Sequence, residues 1–184
     1  MKNLILLLVF ISYQSFSNER TVNVDKSFVK WTGKEITTKI HFGKLNISSG
    51  SINLDDNGVS GEVKVNMETL VVEDLQGEWG KKLEGHLKSD DFFSVDKFKE
   101  SSIKTTSSTK KSDNSYEVQG VLTIKDISHP ITFDVNVNGN TLNANLTFDR
   151  SLYDVRFRSG SFFENLGDKL IVDDIDLEVT LELN

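Results

Sequence analysis

Three histidines, two adjacent acid pairs and one arginine cluster are the residues whose types could do chemistry, and their spacing limits what chemistry that is. His41, His86 and His129 lie far apart in the chain, with none of the short His/Cys/Asp spacings of a metal site. Unless they converge in space, His129 orders the turn before Pro130, His86 sits on a short helix, and His41 is the one placed to contact a ligand headgroup. Asp90-Asp91 and Asp173-Asp174 resemble a general acid-base pair, which needs two carboxyls in different environments. Adjacent residues on an extended strand point to opposite faces, however, so the pairs read as helix termination and strand entry. No serine lies in a Gly-x-Ser-x-Gly turn and there is no cysteine, so the usual nucleophile arrangements are absent. Nothing resembles a phosphate cradle. The sequence offers no catalytic residue, and no metal or cofactor is expected.

The cluster Arg150, Tyr153, Arg156 and Arg158 is the most informative polar group. Planar guanidinium forks at a strand end, followed by Ser159-Gly160-Ser161, suit an anionic or polar headgroup. Equally, the arginines can pair with Glu164, Asp168, Asp173 or Asp174 and close the end of the fold. Both readings stay open from the residues alone.

The elements that must position these groups are strands. Period-two alternation recurs at Val63–Met67, Tyr116–Ile124, Ile131–Val137, Leu142–Phe148 and Ile175–Leu181, each with one apolar and one wet face. Asp56-Asn57-Gly58 and Asn138-Gly139-Asn140 are tight-turn signals that make neighbouring strands antiparallel. Val22–Thr32, Glu35–Phe42, Lys44–Ile47 and Gly50–Leu54 supply further strand material. About eight strands result, the number at which a closed sheet can hold one small ligand. The polar stretch Thr105–Ser115 reads as a long surface loop. Trp79, Leu83 and Leu87, spaced by four, predict a short helix between Glu78 and Lys88 that ends at Ser89-Asp90-Asp91. It forms either a lid over the barrel or simply the base of its core.

Composition sets the outer bounds. Residues 1–17, with Lys2, the apolar run Leu4–Ile11 and Ser15-Phe16-Ser17, read as a secretory signal, leaving one domain over 18–184. Nothing after it approaches the ~20 apolar residues of a membrane helix. Removing residues 1–17, which hold one base and no acid, takes 21 Lys+Arg against 28 Asp+Glu to 20 against 28, a net charge of −8. No basic stripe is left for nucleic acid. With no cysteine there is neither a disulfide nor a lipid-attachment handle.

Five pieces then occur in a recognisable order: Asp25–Lys34 with Trp31, His41-Phe42-Gly43-Lys44-Leu45 with Ser49–Ile52, Leu83–Phe93, Gly120–Ile131, and the tail from Phe148-Asp149-Arg150 through Tyr153 to Asp173-Asp174. Together they resemble the YceI-like family of bacterial periplasmic proteins. The resemblance implies an all-β fold, a closed antiparallel eight-stranded lipocalin-like barrel with a short helix near one end, binding a polyisoprenoid. Two departures are visible. Lys26 stands where many members have histidine, and Asp154 and Arg158 stand where small residues, often glycine, are expected.

The implied function is a carrier or store for a polyprenyl or quinone-like lipid in the periplasm, touching a membrane transiently and able to form a homodimer. The alternatives are a non-catalytic interaction or stress-protection module with a solid core, and an accessory protein that supplies quinone to a membrane redox enzyme. On the carrier reading the interior wall includes Val63, Val65, Met67, Val118, Leu122 and Phe133. Val135, Leu146, Phe148, Leu177 and Val179 continue it. Trp31 and His41 join the ligand contacts from the first two pieces, Arg150, Tyr153 and Arg156 from the last. Trp79, Leu83, Leu87, Phe92 and Phe93 would form the lid.

Overall fold

The computed structural model describes residues 19–55 and 58–184; the proposed signal segment 1–17 and the turn residues Asp56 and Asn57 lie outside them. Nine strands and one α-helix follow one another as β1 (Glu19–Thr21), β2 (Phe28–Lys34), β3 (Ile40–Asp55), β4 (Gly58–Val72), α1 (Gly77–Lys88), β5 (Glu100–Ser112), β6 (Ser115–Ile124), β7 (Ile127–Asn138), β8 (Thr141–Asp149) and β9 (Asp174–Glu182). The sheet runs β3-β2-β9-β8-β7-β6-β5-β4, and β4 pairs back onto β3. That return contact closes an eight-stranded, wholly antiparallel barrel. The ninth strand, β1, lies along the part of β3 that β2 does not cover, pairing Glu19–Thr21 with Ser51–Asn53.

Alternation explains why these segments are strands and which way they face. Along β8 the burial runs through Leu142, Ala144, Leu146 and Phe148 with Asn143, Asn145 and Thr147 exposed, and β6 repeats it with Tyr116, Val118, Leu122 and Ile124 inside. Two expectations fail. Thr105–Ser115 is not a loop: β5 extends to Ser112 and pairs with β6 as far as Ser112–Ser115. Past Lys104 its ladder with β4 ends, Ser108 Oγ alone reaching across to accept the Val59 N–H at 2.9 Å, and its polar side chains are mostly exposed, so no apolar alternation marks the strand. His129-Pro130 forms no turn either. Both residues lie within β7, opposite Leu122 and Val121, and the tight turn falls earlier, at Lys125 and Asp126, whose φ values are 52° and 59°, as a two-residue hairpin with both centres left-handed requires.

The two ends of the barrel are built differently. At one, the hairpin end, β5–β6 and β7–β8 are joined by tight turns and β3 and β4 pair as far as Asp55 and Gly58, and Val22, Tyr116 and Leu183 are buried there. The other, the helix end, carries the β2–β3 hairpin, the connection from Glu73 to Lys99 that contains α1, and the long connection from Arg150 to Asp173. Helix α1 has Glu78 in its first turn and His86 and Lys88 in its last, and the Glu78 and Lys88 charges suit the helix dipole. Two polar ties fix it to β4: Glu84 Oε1 accepts the Val72 N–H at 2.9 Å, and Lys88 Nζ donates to Glu68 O at 2.8 Å. Gly80 rests against the Leu75 carbonyl, where a Cβ would come within 2.5 Å.

Candidate functional site

Inward-facing residues of all eight barrel strands surround an apolar cavity of about 160 Å³, the space open to the centres of water molecules. A single water needs only about 10–15 Å³ on that measure, so the barrel is not packed solid. Val65 and Met67 from β4, Leu122 from β6, Phe133 from β7, Phe148 from β8 and Leu177 from β9 all line it. Phe93, which follows α1, closes it from the helix end. Every residue placed on the interior wall from alternation alone is part of the lining.

A second, outer cavity of about 270 Å³ lies beneath α1, walled by Leu83, Phe92, Phe157 and Ile171 and edged by Lys34, Glu35, His41, His86 and Arg158. Trp31 and Leu87 line both cavities. Their side chains are therefore the partition between an apolar inner chamber and a vestibule with a polar rim. Trp31 is held in place by its indole N–H, which donates to Val71 O at 3.2 Å. Gly43 makes that approach possible, because a Cβ there would fall 1.9 Å from the same carbonyl and 2.9 Å from the indole nitrogen. The His41-Phe42-Gly43 piece thus has one structural reason for its glycine.

His41 reaches the vestibule rim in a fixed orientation. Its Nδ1 lies 2.8 Å from Asp74 Oδ2, while Asp74 Oδ1 accepts the Phe42 N–H at 3.0 Å. Burial pushes the Asp74 carboxyl up, but the hydrogen bonds from Phe42 and His41 and the nearby imidazole outweigh it and hold the group below its ordinary value. His86 packs edge-on against Phe92 and Phe157, with ring centroids 5.1 and 4.5 Å away, and so presents a flat polar edge among apolar rings. His129 is elsewhere, donating from Nε2 to Leu152 O at 3.0 Å and resting on Tyr153. The three histidines do not converge, and no group of three His, Asp or Glu able to hold a metal occurs among the described residues.

The arginine cluster divides. Arg150 is fully buried and lines neither cavity, its Cζ lying 5.7 Å from the centre of the Phe92 ring. Its Nη1 donates to Val155 O and Phe157 O, Nη2 to Ile171 O and Nε to Val172 O, at 2.9–3.3 Å. Asp173 supplies the countercharge 3.0 Å from Nη2, and the same carboxylate accepts hydrogen bonds from Ser159 and Ser161, each at 2.8 Å. Burial lowers the guanidinium's affinity for its proton and the Asp173 and Asp149 charges oppose this. One side chain therefore stitches the whole 150–173 connection together. Tyr153, 2 % exposed, packs on Phe148 and His129, under that connection and outside the cavity lining; burial raises its phenol. Arg156 is exposed, pairs with Asp154 and faces an open basin with Asp90, Asp91, Lys125, Phe163 and Leu166.

Arg158 is the member of the cluster that the vestibule receives. Sequence reasoning grouped it with the others but had no means to separate it from Arg150. Asp154 and Arg158 have φ of 57° and 51°, a left-handed conformation that costs a residue with a Cβ about 1–2 kcal/mol. Glycine suits both sites for that reason, and this chain keeps the backbone while adding a charge. Residues that the sequence did not place at the site include Leu45 and Ile47 in the inner lining and Phe157 and Ile171 in the outer. The first two sit in a run whose alternation is broken by a bulge between Ile47 and Ser49; the last two lie in an irregular connection without any period.

Several known proteins share this architecture. The Burkholderia cenocepacia protein BcnA superposes with a TM-score of 0.67 at 18 % identity, over 87 % of this chain and 98 % of that one. A polyisoprenoid-binding domain from Saccharophagus degradans, implicated in plant cell wall breakdown, gives 0.61 at 10 % identity over 92 % and 100 %, and a Campylobacter jejuni YCEI protein gives 0.57 at 17 % over 100 % and 99 %. By sequence, a UPF0312 protein of Vibrio parahaemolyticus is 28 % identical over 53 % of this chain and 50 % of its own length. One from Yersinia enterocolitica is 28 % identical over 61 % and 57 %. The chain matches little more than half the length of these relatives. The model of the YceI-like domain matches residues 21–183, all but the ends of the barrel just described, and the chain belongs to the YceI-like family.

Proposed function

We propose that this protein binds and carries or stores an isoprenoid-type lipid, polyprenyl or quinone-like, inside the barrel, making and breaking no bonds itself. The observation that carries the reading is the pair of cavities separated by Trp31 and Leu87, apolar within and polar at the rim. An interior of about 160 Å³ offers room for roughly ten water-sized groups, so two isoprene units fit the inner chamber and a longer chain continues into the vestibule or widens the barrel. Each methylene-equivalent removed from water contributes about 0.8 kcal/mol, hence about 3–4 kcal/mol gross per five-carbon unit before the cost of ordering the chain. Affinity then needs no specific hydrogen bond. Orientation comes from the rim, where His41, His86 and Arg158 can meet a polar headgroup.

The polyisoprenoid bound by the Saccharophagus degradans domain supports the choice of an isoprenoid over a fatty acid. The open interior favours a carrier over an interaction module with a filled core. Supply of quinone to a membrane redox enzyme is a special case of the same cargo. The signal-like start of the chain is the reason to place this work in the periplasm.

Organic extraction of protein purified from its native compartment, followed by mass spectrometry, tests the proposal. A stoichiometric polyprenyl lipid or quinone is expected. A clean extract, together with failure to take up added isoprenoids from detergent, would overturn it.

A further inference from the structure

We infer that the vestibule selects the reduced, quinol form of an isoprenoid quinone, with Nε2 of His41 accepting a hydrogen bond from the quinol hydroxyl. The inference rests on the carrier reading and deepens it by naming the headgroup. Burial alternates along β3 so that Ile47, Leu45, Gly43 and His41 share the inward face. Ile47 and Leu45 line the inner chamber and His41 lines the vestibule, so a tail lying along that row meets an imidazole where the apolar wall ends. Gly33 stands directly opposite His41 in the β2–β3 ladder and belongs to the same lining. Having no side chain, it leaves the space beside the ring open.

The tautomer of that ring follows from its partner. Against the upward push of burial, hydrogen bonds from the Phe42 N–H and from His41 hold the Asp74 carboxyl below its ordinary value. Near neutrality Asp74 is therefore a carboxylate and can only accept. The proton in the 2.8 Å contact between His41 Nδ1 and Asp74 Oδ2 must then be carried by Nδ1. In the neutral imidazole this leaves Nε2 as a lone-pair acceptor, and Asp74, which fixes it so, lies outside the vestibule lining. A quinol hydroxyl supplies the donor that this lone pair lacks. A quinone offers only carbonyl oxygens, which would set one acceptor against another.

The rest of the lining agrees with a neutral headgroup that donates. Glu35 brings a carboxylate to the same space, tied to Lys39 at 3.7 Å, and is a second acceptor. Lys34, paired with Asp176 at 2.7 Å, and Arg158 are the donors of the lining; they serve a hydroxyl oxygen and a carbonyl alike and do not discriminate between the two forms. A phosphate headgroup would meet Arg158 but also the Glu35 and Asp74 carboxylates, which repel it. Phe92 and Phe157 frame the cavity with ring centroids 5.5 Å apart, a wall suited to a planar aromatic headgroup.

Anaerobic titration calorimetry on lipid-stripped protein tests the inference, using a benzoquinone that bears two isoprene units and the same molecule reduced to its quinol. It is run at about pH 8, where an imidazole is ordinarily neutral. The tail is common to both ligands, so the ratio of the two affinities reports the headgroup alone and is insensitive to any general loss of stability in a variant. The quinol should bind about tenfold tighter. By linkage, redox titration of the bound couple should then give a midpoint about 30 mV above that of the free one. His41→Leu should abolish the preference, and Asp74→Asn, which frees the ring to take either tautomer, should shrink it. Equal affinity for the two forms in the unmutated protein, or a preference that survives His41→Leu, would overturn the inference. So would tighter binding of a phosphate carrying the same two isoprene units, which would make the vestibule an anion site. Binding of neither form removes the carrier reading on which the inference rests, whereas equal binding of both removes only the choice of headgroup.

Discussion

The hairpin end and the helix end are made from the same eight strands and solve opposite problems. At the hairpin end, neighbouring strands are joined by tight turns such as the one at Gly139, φ 60°, and Val22, Tyr116 and Leu183 are buried as a plug. The turns there join sequence neighbours, and the two ends of the chain meet over the plug, Val22 bridging Leu183 and Asn184 bonding Thr21 and Asn23. At the helix end the chain spends two long connections, a buried ion pair and a helix to surround an opening without filling it. The difference teaches where function sits: at one end polar ties between the first and last segments of the chain close over a filled plug, while at the other the ties around Arg150 and α1 leave the vestibule open.

Breaking the Arg150 node should have the largest effect. Arg150→Met leaves the half-buried Asp173 without its countercharge and strips donors from four carbonyls, a loss of about 3 kcal/mol measurable as a lower urea midpoint with little change in slope. An unchanged midpoint would remove the idea that the 150–173 connection depends on this one residue.

Paired truncations sharpen the comparison next. Leu87→Ala at the partition and Leu142→Ala near the hairpin end both remove side chains at least 92 % buried and should each destabilise by about 2–5 kcal/mol. Only Leu87→Ala should speed release of a bound isoprenoid, read by transfer to acceptor vesicles; equal release rates would mean the partition is no gate. Gly139→Ala should cost about 1 kcal/mol, because alanine resists the left-handed turn, and should leave cargo exchange untouched.

The smallest contrast is in pH. Asp74, whose side chain is 13 % exposed, is held below its ordinary value, so the folded state binds its proton less readily than the unfolded chain. Its stabilising effect is complete above the unfolded value of about 4 and is lost as pH falls through the lower folded one. Asp176 is also lowered, by its hydrogen bonds from Lys34 and Thr147, and titrates in the same window. Asp74→Asn should flatten part of the acid decline in thermal midpoint and Asp176→Asn another part. An unaltered decline in Asp74→Asn would show that the His41–Asp74 pair does not hold the rim.

Much of this molecule follows from the sequence by itself. A two-residue period fixes which side chains of Val63–Met67, Tyr116–Ile124 or Leu142–Phe148 face inward, because the pleat leaves only two choices and one of them is wet. Helix α1 was legible from a four-residue spacing for the same geometric reason. The extension of β5 was not, since polar, mostly exposed side chains leave no period to read. Nor could spacing separate Arg150 from Arg158, eight positions apart, one buried among carbonyls and the other at an opening. Whether the barrel is hollow was likewise undecidable, because alternation sets direction and says nothing of the volume left when eight faces meet. Those questions depend on distances between residues remote in the chain, and only closing the sheet decides them.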